Sequence, residues 1–143
     1  MRVVIDCNVL VSAAHIDGVC RKVIGEVVRC HEIVLSEPIL TEYETVAGRP
    51  KHARYRVALR ANIAELERLA IFVEPKAAVF GLRDPDDEIY LATATAGGAA
   101  LITGNSRDFA EPRYGPVEVF SPRSFLARII RCAVERRVFS VGA

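Results

Sequence analysis

Residues 86–102, DDEIYLATATAGGAALI, decide the fold. Asp86 or Asp87 can open a helix, because acids in a first turn face the positive end of the helix dipole. Small and apolar residues carry that helix to Ala96, and Gly97 and Gly98 stop it, since glycine tolerates the left-handed conformation at a helix end. Ala99 to Ile102 is then a short apolar run bounded by turn residues, which predicts a buried strand. A helix therefore delivers the chain directly into a strand. Where strands alternate with helices in this way, the expected architecture is layers of helix around a parallel sheet.

The pattern continues on both sides of that stretch. Arg2 to Ile5 predicts a first strand, because Val3, Val4 and Ile5 are β-branched and the run ends at the carboxylate of Asp6. A helix follows it. Val19, Val23, Ile24, Val27 and Val28 fall on one helical face of residues 19–30, opposite Arg21, Lys22, Glu26 and Arg29. Glu32 to Leu35 predicts a second strand. Ser36 is placed to cap the next helix, Pro38 suits its first turn, and Gly48 and Pro50 close it, which puts Glu42 in mid-helix. Arg54 to Ala70 carries Leu59, Ile63, Leu66 and Ala70 at helical spacing and leads into a third strand, Ile71 to Val73, ended by Pro75. Val117 to Phe120 predicts a fifth strand. Ser121 and Pro122 start a last helix whose apolar stripe is Phe125, Leu126, Ile129, Ile130 and Ala133. The expected fold is an α/β/α sandwich on a mainly parallel sheet of four to five strands. It spans residues 1–143 as one domain, with 121–143 a C-terminal helix and tail.

The composition agrees with a packed globule. The chain has 143 residues, 51% hydrophobic and 26% charged, and a chain of this length buries roughly two-thirds of the surface its unfolded form exposes. Asp6 and Asn8 interrupt the apolar start, and no other segment is long and apolar enough to span a bilayer, so a cytosolic protein without membrane attachment is expected. The four cysteines, Cys7, Cys20, Cys30 and Cys132, form no C-x-x-C pair and lie apart from the three histidines. That gives a zinc site no support and predicts free, buried thiols. Net charge is only +1, yet it is uneven. Arg49, Lys51, Arg54, Arg56 and Arg60 form one basic stretch, and Arg123, Arg128, Arg131, Arg136 and Arg137 a second, while acids gather in Asp84-Pro85-Asp86-Asp87-Glu88. Each basic stretch alone describes a solvated face; beside an acidic pocket the two together favour a polyanion partner.

In parallel sheets ligands bind beyond the carboxyl ends of the strands, where strand order reverses. Asp6 directly follows the first strand, and Thr103, Asn105 and Asp108 follow the fourth. Glu42 and Asp87 stand where their helices can join them. Carboxylates gathered without histidine or thiolate are the donors that hard magnesium or manganese ions prefer. Such an ion acidifies water and polarises a phosphodiester, whereas no Ser-His or Cys-His arrangement for acyl transfer is visible. Each residue also has a plainer role: Asp6 as a helix cap, Glu42 as a surface charge with Glu44 an equal candidate, and one or two of Asp84, Asp86 and Glu88 as structural acids. Asn105 and Asp108 are common turn formers, and Thr103 could bind a phosphate or a water near the metals or simply satisfy backbone groups at a strand end. His15, His31 and His52 carry no assigned role, although His52 sits in the basic stretch. Tyr43 and Tyr55 could stack on bases, but their spacing fits core or interface equally.

Three segments carry a resemblance to a known family. VVIDCNVLVSA (3–13), LSEPILTEYETVAGRPK (35–51) and DPDDEIYLATATAGGAALITGNSRDF (84–109) resemble the PIN-domain ribonucleases over residues 1 to about 125. The chain looks closest to the VapC-like toxins of toxin–antitoxin systems. The resemblance implies an endoribonuclease dependent on Mg2+ or Mn2+, with Asp6, Glu42 and Asp87 as metal ligands and Asn8 orienting Asp6 or a water. It also implies an antitoxin partner and a homodimer that brings basic helices alongside each other's clefts. Arg49, Lys51 and Arg54 are the weaker candidates for RNA contact. At the fourth acid the chain departs from the family, since Asn105 stands where many members have Asp. Either Asp108 substitutes, or Asn105 lends a neutral oxygen and a second ion is held weakly. A catalytically weakened RNA- or partner-binding module is the alternative. A phosphohydrolase or phosphoacceptor domain fits less well, because the first of these needs Asp at position 8 and the second a late lysine after a strand.

Overall fold

The computed structural model describes residues 1–15 and 18–142. Along the chain run β1 (Arg2–Ile5), α1 (Cys7–His15), α2 (Val19–Cys30), β2 (Glu32–Leu35), α3 (Glu37–Ala47), α4 (Arg56–Leu69), β3 (Ile71–Phe72), α5 (Glu88–Gly97), β4 (Ala100–Ile102), β5 (Arg113–Tyr114), β6 (Val117–Phe120) and α6 (Pro122–Val141). Single 3-10 turns precede α4 (Pro50–Tyr55) and α5 (Pro85–Asp87). The strands form one sheet in the order β3-β2-β1-β4-β6-β5. All pairings are parallel except β5 with β6. β1 sits at the centre, with Val4 opposite Leu101 and Val3 opposite Ile33.

Burial explains why the central strands read as unbroken apolar runs. Val3, Val4 and Ile5 are fully buried, as are Val34, Leu35, Leu101 and Ile102, because helices cover both faces of a parallel sheet. α5 packs on β1, β2 and β4, while α2 and α4 pack on β2 and on one another. Gly97 permits the α5 approach. A Cβ there would stand 2.5 Å from Cγ1 of Val34. Gly98 then turns the chain at φ 60°, in the left-handed region, as expected for the residue after a helix.

Several details differ from the sequence reading. The sheet has six strands among the described residues rather than four to five, since β5 is two residues long and too short to leave a periodic signal. α4 begins at Arg56 because Pro50 drives a 3-10 turn first. Ser36 precedes α3 without capping it. Its Oγ lies 2.8 Å from Oγ1 of Thr93 on α5, and both side chains are fully buried, so the hydroxyl links two helices. Of the α6 stripe only Phe125 is buried; Leu126 and Ile129 pack partly on the core, while Ala133 and Ile130 are exposed, Ile130 by 65%. α6 continues well past the sheet, so helical periodicity there did not imply burial. Only Cys7 among the cysteines is buried, and Cys30 is exposed. No helix among the described residues is long and apolar enough to cross a membrane.

Candidate active site

Strand order reverses at β1 and β4: the chain leaves β1 towards β2 and β3 on one side and returns to β4 on the other. Beyond their carboxyl ends lies an open cleft of about 320 Å³ lined by Asp6, Asn8, Ser12, Glu42, Arg49, Lys51, His52, Asp87 and Asn105, among others. This is where the topology of a parallel sheet leaves a crevice.

Asp6 occupies the floor. Its backbone N–H donates to the Ile102 carbonyl at 2.9 Å, which extends the β1–β4 ladder to the carboxylate itself. Thr103, the residue after β4, donates its hydroxyl to Asp6 Oδ2 at 2.7 Å, and the Asn8 N–H donates to Oδ1 at 3.3 Å. Asp6 thus caps the start of α1 and faces the cleft at once. Burial raises its carboxyl above the usual range against the lowering effect of those hydrogen bonds. Asn8 accepts the Gly104 N–H at 3.1 Å through Oδ1 and so ties the loop after β4 to α1.

Glu42 reaches the cleft from mid-α3, half-buried, while Glu44 is exposed on the same helix. Burial raises its pKa, and Asp6 adds to this; a hydrogen bond from Tyr90 and the nearby Arg49 oppose it. Asp87 enters from the 3-10 turn ahead of α5. Burial, then the charges of Asp6, Asp84 and Asp108, push its carboxyl up to about 7. Its acidic neighbours are structural. Asp84 accepts the Asp86 N–H at 3.0 Å, and Glu88 accepts the N–H groups of Phe80 and Leu82 at 2.8 and 3.0 Å, pinning the long loop before α5.

The fourth acid joins the cluster from the side: the Asp108 and Asp87 carboxyls share a hydrogen bond, and the Asp108 charge acts on Asp6 as well. Asn105 lines the cleft and Asp108 does not. The two are bonded reciprocally: Asn105 Nδ2 donates to Asp108 Oδ2 at 2.6 Å, and the Asp108 N–H donates to Asn105 Oδ1 at 3.3 Å. Thr103 Oγ1 accepts the Asn105 N–H at 3.0 Å. A hydrogen-bonded chain therefore runs Asp6, Thr103, Asn105, Asp108.

Arg49 and Lys51 lie on the cleft rim, whereas Arg54 stands 5.6 Å from the Tyr55 ring centroid and does not line the cleft. His52 faces the cleft but is buried, and its Nδ1 pairs with His15 Nε2 at 3.0 Å. Arg56 closes α3 by donating to the carbonyls of Ala47, Gly48 and Arg49. The second basic stretch lies elsewhere: Arg128 and Arg136 of α6 line a cavity with Met1, beyond the amino ends of the strands and so at the opposite end of the sheet from the cleft. The two stretches do not flank one acidic pocket, because α6 runs from the carboxyl end of β6 back towards the start of β1. Tyr90, which no spacing singled out, touches both the Asp6 and Glu42 surroundings. Its only signal is its place one turn after Asp87.

Among the described residues no three Asp, Glu, His or Cys side chains stand as oriented to enclose an ion. The donors at the cleft are nonetheless all oxygen. Three carboxyls of raised pKa share it with Arg49 and Lys51 at the rim, an excess of acid that a hard divalent cation relieves. In kind, then, the residues fit such an ion.

The fold is similar to two solved assemblies. In the structure of VapBC2 from Rickettsia felis bound to a DNA fragment from their promoter, the matching chain is 14% identical, with a TM-score of 0.57 over 85% of this chain and 98% of that one. VapBC-1 from nontypeable Haemophilus influenzae gives 18% identity and a TM-score of 0.56 over 86% and 99%. No sequence among the curated proteins matches the chain. A family model described as PIN domain matches residues 2–107, which contain the whole acidic cleft and stop short of the expected residue 125. The chain therefore belongs to the PIN-domain family.

Proposed function

We propose that this chain is a metal-dependent endoribonuclease, the toxin member of a toxin–antitoxin pair, acting in the cytoplasm. The observation that carries the reading is the convergence of Asp6, Glu42 and Asp87, from three separate elements, on one cleft with Arg49 and Lys51 at its rim. These three acids are the proposed holders of Mg2+ or Mn2+, with small side-chain rotations bringing their oxygens together. When bound, such an ion supplies a more acidic water and neutralises charge developing on a phosphodiester.

The chain's own residues do the remaining work. Thr103 and the Asn8 N–H fix the Asp6 carboxylate, so its oxygens are pre-oriented. Asp108, which shares a hydrogen bond with Asp87 and two with Asn105, is the proposed fourth acid, with Asn105 holding its carboxyl in place. Arg49 and Lys51 draw the RNA backbone towards the acids. Antitoxin binding is part of the proposal because the similar folds occur in VapBC assemblies. A homodimer is also part of it, supported by the exposed apolar stripe Ile130, Val134, Val138 and Val141 on α6.

The purified chain with Mn2+ is expected to cut a panel of RNAs, and EDTA or Asp6→Asn to abolish cutting. Intact RNA with every panel member would end the nuclease reading. Asn105 at the cleft favours one rival, a weakened site that binds RNA without cleaving it. Retained RNA binding with no millimolar or tighter Mg2+ or Mn2+ binding by calorimetry identifies that case.

A further inference from the structure

Two fully buried tyrosines grip the backbone on either side of Asp6. Tyr43 donates its hydroxyl to the carbonyl of Ile5, the residue before Asp6. Tyr90 accepts the N–H of Cys7, the residue after it, at 3.3 Å. Each belongs to a helix or turn that also brings a carboxylate to the cleft. Tyr43 adjoins Glu42 on α3, and Tyr90 follows Asp87 by one turn on α5. The Tyr90 hydroxyl has its proton left to give once it has accepted from Cys7, and a hydrogen bond from it reaches Glu42. We infer that Tyr43 and Tyr90 form a clamp that sets the separation of Asp6, Glu42 and Asp87, and that they act as positioning residues for the divalent ion these acids would hold.

The physical case rests on what is rigid and what is not. A β-strand end, the middle of α3 and the turn into α5 meet at the cleft, and acids of like charge repel, so without a tie the three elements would spread. Ordinary packing keeps the elements in contact but does not fix them to the tolerance a small cation demands. A hydrogen bond from each carboxylate-bearing element to the backbone flanking the third carboxylate does. The bonds fall on residues 5 and 7, so both sides of Asp6 are held, and neither tyrosine is exposed to solvent that could compete. Burial keeps both phenols protonated.

The inference rests on the proposed metal site, and the test separates the two. Mn2+ binding to the full metal-free chain is measured by calorimetry for wild type, Tyr43→Phe, Tyr90→Phe and Tyr114→Phe. Tyr114 is the control, since its hydroxyl accepts the Glu111 N–H at 3.2 Å, a bond of the same kind placed outside the cleft. Phe at 43 or 90 is expected to weaken Mn2+ roughly 10-fold or more, with Phe at 114 leaving affinity unchanged. If wild type binds Mn2+ and all three variants bind it equally, the clamp is overturned and the metal site stands. If wild type binds none, the metal site falls and the clamp with it. Should Phe at 43 or 90 prevent folding, the wild-type chain labelled with 3-fluorotyrosine decides by fluorine NMR. Mg2+ should then shift the Tyr43 and Tyr90 resonances and leave that of Tyr114 in place; no shift at 43 and 90 under Mg2+ that calorimetry shows bound overturns the clamp.

Discussion

Asp87 titrates near 7 in the metal-free protein, far above the ordinary 3.8 of an aspartate, and burial is the first cause. Between those two values the unfolded chain has released a proton that the folded chain still holds. The resulting stability is full below about 3.8 and is lost as pH climbs through about 7. Asp6 and Glu42 are displaced in the same direction and add to the trend. In EDTA, wild type is therefore expected to lose stability from pH 5 to pH 8, and Asp87→Asn to be more stable than wild type at pH 8 by roughly 1–2 kcal/mol, after discounting for the half-exposed carboxyl. Urea melts at the two pH values check this, and Mn2+ at pH 8 should stabilise wild type more than the variant. Equal pH dependence in both proteins would remove the case for a strained acidic site. Composition and spacing offered the acids without ranks, since Asp84, Asp86, Asp87 and Glu88 read alike as first-turn acids. The resemblance singled out Asp87, and the loop that Glu88 pins and the cleft that Asp87 lines give the physical distinction. Asn105 and Asp108 could not be separated by spacing, because three residues apart in one turn they are bonded to each other, and Asp108 in turn to Asp87.

Elements proved more legible than residues, since periodicity reports a whole face at a time. β1, β2, β6 and α2 fall where the sequence puts them, because β-branched runs and a strong apolar stripe met no competing signal. The places that escaped are those where tertiary contacts override a local rule. Ser36 had the chemistry of a cap, yet its hydroxyl is taken by Thr93 across the helix interface. Removing it in Ser36→Ala should cost about 1–3 kcal/mol, the penalty of a buried hydroxyl left unpaired, with Ser36→Ala/Thr93→Val recovering part of it in denaturant melts. A cost no larger than the few tenths expected at an exposed site would refute the buried link. Gly97 shows the converse. It read as a helix stop, and it also lets α5 lie against β2, where a Cβ would meet Val34 at 2.5 Å. Gly97→Ala should destabilise by about 1–3 kcal/mol through overpacking. Val34→Ala should be less damaging in the Gly97→Ala background than alone, since the two share one volume.

Across the whole molecule, charge is sorted by the direction of the sheet. The acidic cleft and the rim cations Arg49 and Lys51 sit beyond the carboxyl ends of β1 and β4, while Arg128 and Arg136 of α6 lie by Met1 at the amino end of β1. A net charge of +1 conceals this separation, and so does a linear count of arginines, because neither registers where the returning α6 carries its charges. Phosphate attraction depends on local field rather than on the total, and exposed charges beyond about 10 Å are largely screened at 0.1 M salt. RNA bound at the cleft should therefore feel Arg49 and Lys51 and not the distal arginines of α6. Binding of a single-stranded RNA to the Asp6→Asn chain, measured by anisotropy across a salt series, gives the number of phosphates neutralised from the slope of log affinity against log salt. Arg49→Ala and Lys51→Ala should each weaken binding and flatten that slope by about 0.7, the value for one phosphate contact on a single strand. Arg136→Ala/Arg137→Ala should leave slope and affinity unchanged. A slope altered only by the α6 pair would place the RNA at the opposite end of the strands, away from the acids. It would then separate RNA binding from the cleft in which Asp6, Glu42 and Asp87 converge.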